Sequence, residues 1–226
     1  MASSSSRLSF LVTASALALA LGAGTAGVLV LPPFYYKGVG DDGLFRFFAE
    51  VVERVGDDRL RLYLYHIPQM TGIDLGLPLI SRLIDAYPGV IAGTKDSSGD
   101  IERIVTLCKE FPNLSVLAGT EALLLETLRG GGEGCISATV NVTSRLARQV
   151  YDAHAAGRNE EAKTLQERLS ALRASIEAYP MIPALKTLMS DLTGDEAWRN
   201  LRPPLSGLDV EQENKLRSCV PLADLL

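Results

Sequence analysis

The sequence predicts an α/β fold on a parallel sheet, a partial (β/α)8 barrel with a helical extension at its C-terminus. Three observations carry this expectation. Short apolar runs alternate five times with amphipathic stretches of helical period, the pattern of βα units joined by right-handed crossovers. Several of these runs are apolar on both faces, as strands buried in a parallel sheet are. No Gly-rich phosphate fingerprint follows any of the runs, which argues against a doubly wound nucleotide-binding sheet.

Taken in order, the first element is the least settled. Residues 1–11 are set apart as a leader, beginning with the polar MASSSSR. The apolar, small-residue run LSFLVTASALALALGAGTAG follows. Alone it reads as a secretory signal, and its Ser, Thr and Gly interrupt it too often for a membrane span. The preferred reading is a buried helix over 12–21, ended by Gly22 and Gly24. The short apolar strand Val28–Leu31 comes next, and a buried parallel strand needs a helix to cover it.

The five units then run as strand 28–31 with helix 42–55, strand 61–67 with helix 77–86, strand 90–95 with helix 100–110, strand 114–119 with helix 121–129, and strand 134–139 with helix 143–156. Beyond them lie three helices, near 159–178, 183–192 and 210–217. Short connections and the lack of a linker predict one domain: a partial barrel over 12–157 and a helical extension over 158–226. Five strands fall short of a closed (β/α)8 barrel, so the chain is expected to be part of a longer ancestral enzyme.

Composition narrows the function classes. With 47% hydrophobic and 22% charged residues the chain is too apolar for disorder. A net charge of −5 leaves no surplus to neutralise phosphates, which argues against nucleic-acid binding. Cys108, Cys135 and Cys219 are few and scattered, a pattern that suits reduced thiols in a cytoplasmic protein. The alternative location, secreted, holds if the apolar start is a signal. The two histidines lack carboxylates or thiols at ligand spacing, so no metal site is expected. His154 sits in a polar helix end and is expected to be solvated. The GGGEG run at Gly130–Gly134 reads as a helix-to-strand turn.

Chemistry concentrates on Lys95. It ends an apolar strand and precedes the polar turn Asp96–Asp100 that opens the next helix. Strand C-termini form the active face of a barrel, and desolvation there disfavours an ammonium and leaves an amine able to attack a ketone. The plainer alternative is a surface lysine at a strand end. Tyr65 ends the preceding strand, so its phenol stands at the same rim. Imine formation needs a group that shuttles protons, and a positioned phenol does this. The plainer reading of Tyr65 is a core tyrosine with a satisfied hydroxyl. His66, next along, points to the opposite face, towards the helix layer.

Taken together, the segments YHIPQMTG and GTKDSSGD resemble two motifs of the dihydrodipicolinate synthase/N-acetylneuraminate lyase family of class I aldolases. The resemblance runs from about Leu21 to about Pro204. It implies that Lys95 forms a Schiff base with pyruvate and that Tyr65 is its proton relay. It further implies that Tyr36, in LPPFYYKG, reaches the relay of a neighbouring subunit, and that Ile136 packs on pyruvate. Ser97, Ser98 and Glu121 fall where relatives bind substrate hydroxyls; Ser97 or Ser98 can equally cap the next helix. No cofactor is implied, because the iminium is itself the electron sink. The implied assembly is a homo-oligomer, a dimer of dimers, acting on a 2-oxo acid and an aldehyde.

Two departures stand out. The family's Gly-Thr-Thr-Gly-Glu segment, which captures the pyruvate carboxylate, does not occur in these 226 residues. Met70 stands where dihydrodipicolinate synthases proper carry an arginine for the second substrate's carboxylate, a bidentate contact that methionine cannot make. The sequence therefore points to an aldolase or dehydratase for sugar acids or other 2-oxo acids. Its rivals are a catalytically impaired truncated relative and a secreted binding protein.

Overall fold

The computed structural model describes residues 14–225, and it shows an α/β protein with a sheet of five strands in chain order, β1-β2-β3-β4-β5. By their contacts the described residues divide into two compact units: 14–117 with 130–133, and 118–129 with 134–225.

The first unit begins with helical residues 14–22 (α1) and continues with β1 (Val28–Val30), α2 (Asp41–Val55), β2 (Leu62–His66) and the single turn α3 (Pro68–Thr71). After these come α4 (Leu77–Ala86), β3 (Ile91–Asp96), α5 (Ile101–Glu110) and β4 (Ser115–Ala118), whose last residue belongs to the second unit. β1 pairs with β2 and β2 with β3, both in parallel. Gly22, Gly24 and Gly27 have the spacing of a dinucleotide fingerprint, but they lead from helix to strand, the reverse of that motif's order.

Strand alternation divides this sheet into two unlike faces. Val28, Val30, Leu62, Leu64, His66, Thr94 and Asp96 are buried on one side. Leu44 and Phe48 of α2, Leu79, Ile80 and Leu83 of α4, and Ile104 and Leu107 of α5 add to the unit's apolar core. On the other face, Leu29 is matched in register with Tyr63 and Tyr63 with Gly93, while Tyr65 is matched with Lys95. That face is only partly covered. The sequence anticipated strands buried on both sides, and β1 departs from this because Leu29 is exposed.

Gly93 shows how local sequence sets the face. A side chain there would meet the Tyr63 ring and the Ser115 carbonyl at 2.3 and 2.6 Å, so only glycine lets the tyrosine lie flat across β3. The register shifts beside it, with Leu62 opposite Ile91 and Tyr63 opposite Gly93, leaving Ala92 as the extra residue of a bulge. α1 forms as anticipated but is not the buried helix expected: Ala14 and Leu21 are buried, whereas Leu19 is exposed. The leader, residues 1–11, lies outside the described residues.

The second unit is mainly helical. A 3-10 turn (Glu121–Leu123) leads into α6 (Leu124–Arg129), and β5 (Gly134–Cys135) precedes α7 (Val140–Ala155), α8 (Asn159–Glu177), α9 (Met181–Thr193) and α10 (Val210–Cys219). Leu146, Val150, Leu169, Leu172, Ile176, Leu188 and Leu216, drawn from α7, α8, α9 and α10, form a continuous apolar cluster with Val220, the residue after α10. A capping box, Asp209 with Gln212, starts α10. β5 is shorter than the strand anticipated over 134–139. The Ile136 amide donates to the Ala118 carbonyl at 2.9 Å, after which Ser137 and Thr139 turn their hydroxyls to Glu121. α7 starts earlier than anticipated and kinks at Thr143. His154 is half-buried with Nδ1 enclosed, not solvated as its polar neighbours implied.

Candidate active site

Two strand ends in the first unit bring an amine to a phenol. Tyr65 and Lys95 are register partners on β2 and β3, so their side chains leave the sheet on the same face. Lys95 Nζ donates to Tyr65 Oη at 3.1 Å and lies 4.3 Å from the centre of its ring. Both residues are half-buried. A contact of this length lies within the range over which acid–base groups exchange protons.

Behind the pair, the sheet's covered face carries charge. Asp96 follows Lys95 and is fully buried, with its carboxylate accepting from the Ser98 amide at 2.9 Å, the Ser98 hydroxyl at 2.5 Å and Arg103 Nε at 2.8 Å. Arg103, on α5, also donates to the Leu75 carbonyl at 2.5 Å. His66 follows Tyr65 and points to the same covered side, as alternation predicts. The Leu75 amide donates to its Nδ1 at 3.4 Å, which places the ring proton on Nε2, facing Asp74 at 3.8 Å and Asp96 at 4.0 Å. Burial holds the His66 imidazole below its ordinary range; Asp96 pulls the other way, Arg103 reinforces burial, and Asp74 again opposes it.

The turn after Lys95 is held at several points. The Ser97 amide donates to the His66 carbonyl at 2.7 Å, and Gln69 Nε2 donates to the Ser97 carbonyl at 2.6 Å. Ser98, anticipated as a substrate ligand, gives its hydroxyl to Asp96 and accepts there from the Asp100 amide at 3.1 Å. Neither serine caps α5; Asp100 does, accepting from the amides of Glu102 and Arg103. Gly99 takes φ +82 in this turn, a left-handed conformation natural to glycine.

Tyr36 lies in the loop after β1, 73% exposed, with its ring edge-on to Tyr35. Nearby, Lys37 bridges the carbonyls of Phe34 and Thr71 at 2.7 and 2.6 Å, tying this loop to α3. Met70, also on α3, is exposed.

In the second unit, Glu121 is fully buried. Its carboxylate meets Arg173 of α8 at 2.6 Å, together with the hydroxyls of Ser137, Thr139 and Thr143. Arg173 Nη1 donates to the same two hydroxyl oxygens, Ser137 at 2.8 Å and Thr139 at 2.9 Å. Gln166 of α8 donates to the Glu121 carbonyl at 3.0 Å. Glu121 thus spends its charge on the protein, and Ile136 in the same unit is 41% exposed.

Sequence reading missed both charge networks. The first left a trace: an acidic and a basic-capable residue, Asp96 and His66, sit at the buried positions of alternating strands. The second left none, because Arg173 is far from Glu121 along the chain. Among the described residues, no three His, Cys, Asp or Glu side chains converge as a metal site would require, and no helix is long and apolar enough to cross a membrane.

Comparison with known proteins gives this geometry a context. The family model described as the dihydrodipicolinate synthetase family matches residues 9–222. An uncharacterized DapA-like lyase of Chloroflexus aurantiacus is 35% identical over 199 residues, which cover 88% of this chain and 65% of that protein. The chain thus spans 65% of the length of that curated relative. The crystal structure of dihydrodipicolinate synthase from Agrobacterium tumefaciens aligns with a TM-score of 0.76 at 32% identity, covering 93% of this chain and 70% of that one. YagE of E. coli K12, a protein of the dihydrodipicolinic acid synthase family solved in complex with pyruvate, aligns with a TM-score of 0.81 at 26% identity, covering 91% and 68%.

Proposed function

The chain belongs to the dihydrodipicolinate synthetase family, and from that premise we propose that it is a Schiff-base lyase acting on pyruvate or a related 2-oxo acid. The observation that carries this reading is the 3.1 Å contact between Lys95 Nζ and Tyr65 Oη. In the proposed reaction the unprotonated amine attacks the ketone carbon and forms a carbinolamine. Tyr65 carries protons between nitrogen and oxygen, water leaves, and a protonated imine remains. That cation accepts the electron pair released when a proton leaves C3, which gives an enamine. The enamine then adds to an aldehyde; in the reverse direction the same steps release one. No metal or organic cofactor enters this scheme.

Family resemblance supplies the remaining assignments. The sheet is an arc of a (β/α)8 barrel over 12–157, and 158–226 is a helical extension of the same domain. The protein works in the cytoplasm as a homo-oligomer, a dimer of dimers, in which Tyr36 of one subunit serves the relay of another. Ser97 and Ile136 remain candidates to contact substrate, whereas the bonds of Ser98 and Glu121 favour a supporting role. An exposed Met70 in place of a carboxylate-binding arginine favours a sugar-acid or other 2-oxo-acid aldolase or dehydratase over lysine-precursor synthesis.

A second reading, a relative impaired in catalysis, is favoured by the engagement of Ser98 and Glu121, two anticipated substrate ligands, with the protein's own groups. Exchange of the pyruvate methyl protons with deuterated water separates the two, because it requires both imine and enamine but no aldehyde. The aldolase reading predicts exchange that K95A abolishes. Exchange no faster than in K95A supports the impaired relative.

A further inference from the structure

We propose that Asp96 is the positioning residue of the Lys95–Tyr65 pair, acting from the opposite face of the sheet; this deepens the Schiff-base reading and rests on it. Lys95 is next to last in β3, where the strand is free to twist or fray unless its final residue is held. Asp96 is that residue. It lies opposite His66 in the ladder, and its buried carboxylate joins three things that set the height and rotation of the strand end.

Arg103 anchors it to α5 through a 2.8 Å bond, and the same guanidinium grips the Leu75 carbonyl before α4. The Ser98 amide and hydroxyl close the turn onto it at 2.9 and 2.5 Å. One residue on, the Ser97 amide extends the pairing with β2 by bonding to the His66 carbonyl at 2.7 Å. The neighbours of Asp96 on this side are thus the Arg103 cation, the His66 ring with Nε2 at 4.0 Å, and the Ser98 hydroxyl, with Asp74 beyond His66. Without the carboxylate charge, Arg103 keeps only the Leu75 carbonyl and its longer pairing with Asp74 at 3.8 Å, and the turn no longer fixes where Lys95 leaves the strand. The amine then samples positions out of reach of the Tyr65 hydroxyl, and the proton relay slows while substrate still binds.

The test uses the full chain, pyruvate and cyanoborohydride, with the reduced adduct on Lys95 followed by peptide mass spectrometry over pyruvate concentration and pH. D96N keeps an oxygen for Ser98 but removes the charge that holds Arg103. Its rate at saturating pyruvate is expected to fall about ten- to a hundredfold, the scale of loss when a reacting group is misplaced by an ångström, and its pH profile is expected to change. The half-saturating pyruvate concentration is expected to stay close to wild type. S98A, which removes one bond to Asp96 from a partly exposed position, is expected to lose rate in the same manner but less.

A wild-type rate and pH profile in folded D96N, or in S98A should D96N not fold, overturns the proposal. Acylation of Lys95 by a small uncharged reagent is measured alongside, because it reports the amine's surroundings without imine chemistry. If pyruvate marks no wild-type Lys95, the Schiff-base reading falls and acylation decides the positioning claim. A changed rate in the variants supports it, and an unchanged one overturns it.

Discussion

At the scale of single residues, function turns on what alternation does to two neighbouring strand ends. Tyr65 and Lys95 point to one face, and His66 and Asp96, one step on, point to the other. Tyr65→Phe keeps the ring beside Lys95 and removes only the hydroxyl. It is expected to slow methyl-proton exchange about 10²–10⁴-fold, the usual range for a general acid–base group, as followed by NMR; a wild-type rate would exclude the relay. His66 yields a pH prediction. Its folded imidazole titrates below the ordinary value of 6.5, chiefly through burial, so as pH falls the unfolded chain takes up a proton first. Its contribution to stability is therefore complete above that value and is lost as pH falls towards the folded one. Urea denaturation should show stability declining over this window in wild type and a flatter profile in His66→Asn; equal slopes would contradict the assignment. The sequence made the Lys95–Tyr65 pair legible because register needs only residue spacing. It did not reveal the engaged state of Glu121, since its hydroxyl and guanidinium partners come from distant parts of the chain; the Ser98 hydroxyl turns instead to its near neighbours Asp96 and Asp100.

At the scale of elements, the strands and long helices were legible from period and apolar content. The errors fall where polar side chains override those signals. β5 ends after Cys135 because Ser137 and Thr139 turn to the Glu121 carboxylate, although the segment has strand-forming residues. α3 was passed over because a single turn, Pro68–Thr71, has no period to detect. α8 is the element whose role was least visible. Arg173 and Gln166 reach from it to Glu121 and the turn around it. Replacing Arg173 with Met leaves a buried carboxylate without its counter-charge, at an expected cost of about 3–5 kcal/mol. Arg173→Lys should cost less, because a cation remains. Chemical denaturation measures both, and an Arg173→Met chain as stable as wild type would show that the hydroxyls alone satisfy Glu121.

At the scale of the whole molecule, the repeated βα units made the parallel sheet legible, while the uneven burial of its faces was not. Apolar strands announce burial, yet they do not say what lies over them. In the first unit Leu29 and Phe34 are exposed, and Tyr63 and Tyr65 are half-buried on the face that carries Lys95. Exposed apolar side chains grouped on one unit in this way favour binding of amphiphilic dyes. The folded chain is therefore expected to enhance anilinonaphthalene sulfonate fluorescence, and Leu29→Ser combined with Phe34→Ser to reduce it. No enhancement by the folded wild-type chain would mean the face is covered in solution.

The proposed chemistry rests on one amine. Six lysines are available, at 37, 95, 109, 163, 186 and 215. Reduction of the folded chain by borohydride in the presence of pyruvate, followed by peptide mapping, asks which of them forms an imine. The mechanism predicts a single adduct on Lys95 that disappears in the unfolded chain. A label spread evenly over the six, or carried by any lysine other than Lys95, would contradict it.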